Sequence, residues 1–169
     1  MSATDELIRN NSSYARSFDK GSLRAQPSMR VVVVACMDAR LDVHKILGLA
    51  EGDAHVIRNA GGVVTEDVIR SLVISQRLLA TKEIVLIHHT DCGMLTFNDD
   101  EVKRKIELDT GIRPHFALEA FSDVDEDVRQ SIARIKASPF INDRSSVRGF
   151  VYDVRTGRLN EVRAPARTA

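Results

Sequence analysis

The chain holds two cysteines, Cys36 and Cys92, and each stands beside residues that can bind a metal or handle a proton. Cys92 follows His89 by three positions, a spacing that lets a thiolate and an imidazole grip one ion from a single turn. Cys36 opens the run Cys36-Met37-Asp38-Ala39-Arg40, in which a carboxylate and a guanidinium can pair through two parallel hydrogen bonds. Two thiolates and one imidazole form a zinc set, Cys36, His89 and Cys92, that leaves a fourth tetrahedral position for water or a carboxylate. With water there the zinc is catalytic. With Asp38 there it is a closed structural ion in an interaction domain. A third chemistry needs no metal: Cys92 paired with His89 as a redox or acyl-transfer nucleophile. Taken singly, the fragments are ordinary, since a cysteine at a strand end is commonly a small buried hydrophobe and an acid beside a base is commonly a surface ion pair. Their joint placement is what carries the reading.

That placement depends on the elements around them. Val31 to Ala35 is a continuous, mostly β-branched run suited to a strand buried on both faces of a parallel sheet, and Glu83 to His89 is a second strand of the same kind. The Cys36 run leaves the first, and His89-Thr-Asp-Cys92-Gly leaves the second. In an open α/β sheet the ligand crevice lies beyond the carboxyl ends of such strands, so neighbouring positions would make the ligands converge. Between them the pattern predicts a short helix over Leu41–Leu47, a strand over His55–Arg58, a tight Asn59-Ala-Gly-Gly loop, and a helix capped by Thr65 that runs to about Ala80. Beyond them it predicts a helix from the Asn98 cap to Gly111, and an unassigned stretch from Pro114 to Phe121. A helix opened by Ser122 with an acidic first turn follows, then a hairpin of two strands over Gly149–Val154 and Leu159–Val162. A first helix, capped by Thr4 and stopped at Lys20-Gly21, carries Leu7, Tyr14 and Phe18 as an amphipathic arm over residues 1–21, and the tail 164–169 is expected to fray.

Alternation sends His88 to the opposite side of its strand from His89, which makes it a core or interface histidine rather than a ligand. His44, His55 and His115 have no partner spacing. Met37 and Met94 read as pocket or core filler. The glycine loop lacks both G-x-G-x-x-G and a G-K-[ST] ending, so its use is close backbone approach to the site rather than phosphate binding.

The bulk numbers set the class. At 169 residues the chain fits one domain, and 24 basic against 24 acidic residues leave no net charge with which to follow a nucleic-acid backbone. No apolar run approaches the roughly 20 residues of a membrane span, and the polar start lacks the basic and apolar regions of a secretory signal. A cytoplasmic protein without nucleic-acid or membrane partners is expected.

The C-x-D-x-R run at Cys36, the Arg58-Asn-Ala-Gly loop and the H-x-x-C-G run at His89, in that order, resemble the β-class carbonic anhydrases over about Val31 to Val154. The resemblance implies Zn2+ on Cys36, His89 and Cys92, with Asp38 and Arg40 as a catalytic dyad for the reversible hydration of carbon dioxide to bicarbonate. It also implies an α/β fold with a central, mostly parallel sheet in order 2-1-3-4, an antiparallel edge strand and helices on both faces. The arm would cross onto a partner in a homodimer or a dimer of dimers. The chain has no tryptophan, so the inhibitory bicarbonate pocket that some members build from Trp, Arg and Tyr is not matched. Related proteins hydrolyse carbonyl sulfide or carbon disulfide with the same metal set, and the motifs leave the choice among these substrates open.

Overall fold

The computed structural model describes residues 2–163, so the tail expected to fray lies outside the described residues. Five strands form one sheet in the order β2-β1-β3-β4-β5. Its centre is β1 (Val31–Cys36) and β3 (Glu83–His89), paired in parallel with Val31 opposite Glu83 and Ala35 opposite Ile87. β2 (Ala54–Asn59) and β4 (Val147–Tyr152) flank them in parallel, and β5 (Leu159–Glu161) returns antiparallel along β4. The four consecutive valines of β1 explain its central place, because a strand covered on both faces can spend every side chain on burial.

The two faces carry different cores. On one, Val32, Val34, Ile84 and Leu86 pack with Val68 and Leu72 of α3 (Glu66–Arg77) and Ile135 of α5 (Val124–Ala137). On the other, Val33, Ala35 and Ile87 pack with Leu41, with Val43 of α2 (Val43–Leu47) and with Met94. α4 (Asp99–Thr110) buries no residue completely, and neither does α1 (Ala3–Arg16), on which Leu7 and Ile8 stand exposed. Among the described residues no helix is long and apolar enough to cross a membrane.

Several local expectations need correction. The cap of α1 is Ser2, which forms a capping box with Asp5; that reciprocal pair displaces Thr4 into the first turn, and the helix stops at Arg16 rather than at Lys20. Asp42 caps α2 and Asp123 caps α5, because each carboxylate reaches the backbone N–H three residues on. α3 starts from Thr65 as expected but ends at Arg77, with Ala80 already in a left-handed conformation. Met94 is core, whereas Met37 is 63% exposed and fills nothing. The segment 112–121 contains neither helix nor strand, and it is held by Asp99, whose carboxylate accepts from the N–H groups of Leu118, Glu119 and Ala120.

Candidate metal centre

Because β1 and β3 are parallel neighbours, their carboxyl ends open at the same edge, and Cys36, His89 and Cys92 meet there. All three are buried, and their ligand atoms lie within 4.8 Å of one another. His89 ends β3 with no exposed surface. Its Nδ1 is 2.8 Å from the Thr90 carbonyl oxygen, which can only accept, so Nδ1 carries the proton and Nε2 presents a lone pair. That Nε2 is buried without a hydrogen-bond partner. A buried acceptor left bare beside two sulfur atoms is costly unless something electrophilic binds it, so the residues present fit a zinc ion.

The two thiols share one position of charge. The neighbouring Cys92 thiol and, to a smaller degree, His89 hold the Cys36 thiol down at about 4 against the cost of burial. The same contact, together with burial, pushes Cys92 up. Burial works against protonation of His89, but the adjoining Cys36 sulfur and the Thr90 carbonyl outweigh that and raise it. Two thiolates side by side repel one another, and a cation between them would stabilise both.

Asp38 lies at the mouth of the site. Arg40 clasps it through Nε to Oδ1 at 2.9 Å and Nη2 to Oδ2 at 2.7 Å, and the Arg40 backbone N–H adds a third bond to Oδ1 at 2.9 Å. The clasp holds the Asp38 carboxyl well below the usual carboxylate range. Arg40 is anchored in turn by the Asp91 carbonyl at 3.1 Å, which the left-handed backbone of Asp91 (φ 54°) turns toward it. Oδ2 of Asp38 stands 3.7 Å from His89 Nε2, so the carboxylate faces the ligand set without replacing a member of it.

All five residues singled out from the sequence thus come together, while His44, His55 and His115 stay outside the site. His55 bonds Ser75 and the Ala25 carbonyl, and His115 stacks edge-on against Phe116. His88 faces away, as alternation requires, and bonds Asp127 of α5 at 2.6 Å. The glycine loop makes the close approach expected of it: a Cβ on Gly62 would stand 2.8 Å from the Cys36 backbone nitrogen. Two contributors were missed, namely Asp91 and Arg58. The Arg58 guanidinium donates to the carbonyls of Cys36 (2.9 and 2.8 Å) and Asp38 (2.7 Å). Only for Arg58 did the sequence offer a signal, its place in the Arg-Asn-Ala-Gly run.

This architecture recurs in known proteins. A family model described as carbonic anhydrase matches residues 31–159. Beta-carbonic anhydrase 1 of Mycobacterium tuberculosis is 61% identical over 162 residues, which cover 96% of this chain and 99% of the relative. The chain belongs to the β-carbonic anhydrase family. A crystal structure of a carbonic anhydrase from Streptococcus mutans superposes with a TM-score of 0.90 at 46% identity, covering 96% of this chain and 99% of that one. More distant from this family member is a carbon disulfide hydrolase of Acidithiobacillus thiooxidans, 36% identical over 151 residues that cover 77% of this chain and 75% of that protein.

Proposed function

We propose that the chain, working over residues 1–169 as one domain, catalyses the reversible hydration of carbon dioxide to bicarbonate and a proton. Cys36, His89 and Cys92 hold Zn2+, and Asp38 and Arg40 form the catalytic dyad beside the fourth position. The observation that carries this reading is the bare, fully buried Nε2 of His89 turned toward two thiols. When bound, zinc supplies a Lewis acid that makes a water molecule nucleophilic near neutral pH.

The chain's own residues do the rest. Asp38 is ionised throughout the neutral range, so it accepts a hydrogen bond from the attacking water and orients its lone pair toward carbon. Arg40 keeps that carboxylate charged and pointed, and it also supports the open reading of the site. A carboxylate engaged by three donors of Arg40 would have to break them to become a fourth ligand, which argues against a closed structural ion. The two cysteines sit in a core with Val33, Ala35, Ile87 and Met94, surroundings that suit a substrate without a dipole.

Stopped-flow carbon dioxide hydration with elemental analysis tests the proposal. The expected result is one zinc per chain, turnover in the wild type, loss of most metal in Cys92→Ala, and retained metal with lost turnover in Arg40→Ala. Full zinc occupancy in Cys92→Ala would refute the ligand set. Hydrolysis of carbon disulfide or carbonyl sulfide without carbon dioxide turnover would reassign the substrate. A metal-free wild type with titratable thiols would favour the cysteine nucleophile.

The working unit in this reading is a homodimer in the cytoplasm, a reducing compartment that keeps both thiols available. Leu7, Ile8, Tyr14 and Phe18 are exposed on or beside α1, and the groove between α3 and α5, lined by Ile69, Val73, Ile74 and Phe140, is an apolar surface of matching character. The arm of one protomer fills the groove of its partner, and dimers can pair further into a dimer of dimers. Removing residues 1–21 should give a monomer in light scattering; a shortened chain that stays dimeric and fully active refutes the exchange.

A further inference from the structure

Arg58 is unusual among the arginines near the site in what it spends its charge on. Arg40 meets Asp38, and Arg155 meets Asp91 at 3.3 Å. Among the described residues Arg58 meets no carboxylate, and its guanidinium forks instead onto two backbone carbonyls, those of Cys36 and Asp38. These are the residues that contribute one ligand atom and the acid. The turn between them is held at two further points by backbone bonds, from Met37 N–H to Asn59 O at 2.8 Å and from Leu41 N–H to Asp38 O at 3.0 Å. The Asp38 carbonyl therefore accepts two hydrogen bonds, and rotating the Asp38 backbone would break both.

We propose that Arg58 is a positioning residue of the reaction: by holding the Cys36 and Asp38 carbonyls it fixes the direction from which the Asp38 carboxylate faces the fourth metal position, so that the carboxylate stays with Arg40. The inference rests on the ligand and dyad assignment above. A carboxylate 3.7 Å from a ligand nitrogen needs only a modest swing to reach an ion at the ligand set, and the turn that would permit the swing is the one Arg58 closes. The role requires the planar fork. A lysine retains the charge, but as a point charge on a flexible stem it does not hold two carbonyls in one plane.

The test uses the zinc-loaded full chain and a double-mutant cycle of Arg58→Lys with Asp38→Ala. Arg58→Lys is expected to keep its zinc and to lower kcat/KM for carbon dioxide hydration about tenfold or more, the loss that follows from a charge-assisted bond. In the Asp38→Ala background the same substitution should cost nothing further, because Arg58 acts through Asp38. The cobalt(II)-substituted Arg58→Lys protein should show a visible spectrum shifted from wild type, as a carboxylate replaces solvent on the ion, and the shift should vanish in the double variant. The proposal is overturned if Arg58→Lys matches wild type, or if its loss is the same with and without Asp38. It is equally overturned if activity falls only in step with zinc content, or if the variant does not fold, since either result makes Arg58 purely structural. Failure of the underlying assignment is separate and appears earlier, as a wild type that binds no zinc or does not hydrate carbon dioxide.

Discussion

Gly62→Ala puts the packing behind the metal site to a direct test. Gly62 has φ +72°, and a Cβ there would stand 2.8 Å from the Cys36 nitrogen, 3.0 Å from the Ile87 oxygen and 3.1 Å from the Ala35 carbonyl carbon. All three atoms are backbone of β1 and β3, the two central strands, so no side chain can swing aside. The left-handed conformation costs alanine roughly 1–2 kcal/mol. Forcing a methyl group into a filled core adds roughly 1–3 kcal/mol. The combined penalty of about 3 kcal/mol is a large part of the roughly 5–15 kcal/mol that holds a domain together. At about 2–4 °C per kcal/mol for a chain of this size, Tm should fall by about 10 °C. The strain relaxes by moving β1, and with it Cys36, so zinc occupancy should fall as well. Gly93→Ala is the control: Gly93 adjoins Cys92, yet a Cβ there meets nothing within 4 Å and its φ is not positive. Differential scanning calorimetry and elemental analysis on both variants decide the matter. A Gly62→Ala protein with wild-type Tm and full zinc would show that the close approach of the loop to Cys36 has been misread.

Asp99→Asn should release the segment 112–121 and flatten the acid limb of the stability curve. Burial raises the Asp99 carboxyl, but the N–H groups of Ala120, Leu118 and Glu119 outweigh it and set the folded value below the ordinary 3.8, so its stabilisation is whole above that pH and disappears as pH falls through the depressed value. Urea unfolding at stepped pH measures this, and an unchanged acid limb counts against the clasp. Asp127→Ala should leave His88, which has no exposed surface, with neither ring nitrogen partnered, since Nδ1 already lacks a partner. The expected cost is about 1–3 kcal/mol in thermal unfolding with zinc retained; an unchanged Tm would mean the bond contributes nothing.

How far the sequence discloses this molecule depends on how local each cause is. β3 falls on Glu83–His89 as the unbroken apolar run suggests, and Thr65 and Asn98 cap their helices because a cap needs only the next few residues. The convergence of Cys36, His89 and Cys92 is legible for a related reason: residues that leave buried parallel strands must emerge at one edge. The Arg58 fork is not legible, because it depends on the register that sets Cys36 opposite Asn59 across β1 and β2. The acidic run opening α5 reads as a helix start, which Asp123 serves, while Asp127 in the same run reaches His88 on β3, a job that only the packing angle of the helix assigns. The Asp99 clasp joins a helix start to N–H groups 19 to 21 residues later, in a segment with no periodicity to read.

The pairing of β1 with β3 also joins segments far apart in the chain. His89 and Cys92 are near one another in any conformation, whereas Cys36 is brought to them only by the parallel pairing of β1 with β3, a crossover that carries β2 and α3. Such a pairing forms late and slowly compared with a hairpin. Were zinc to bind at this set only after the rate-limiting step, it would leave the folding rate unchanged and slow unfolding, acting as a latch rather than a nucleus. The lifetime of the native state, more than the speed of reaching it, would then follow metal supply, and refolding and unfolding rates measured with and without a chelator read the two effects separately.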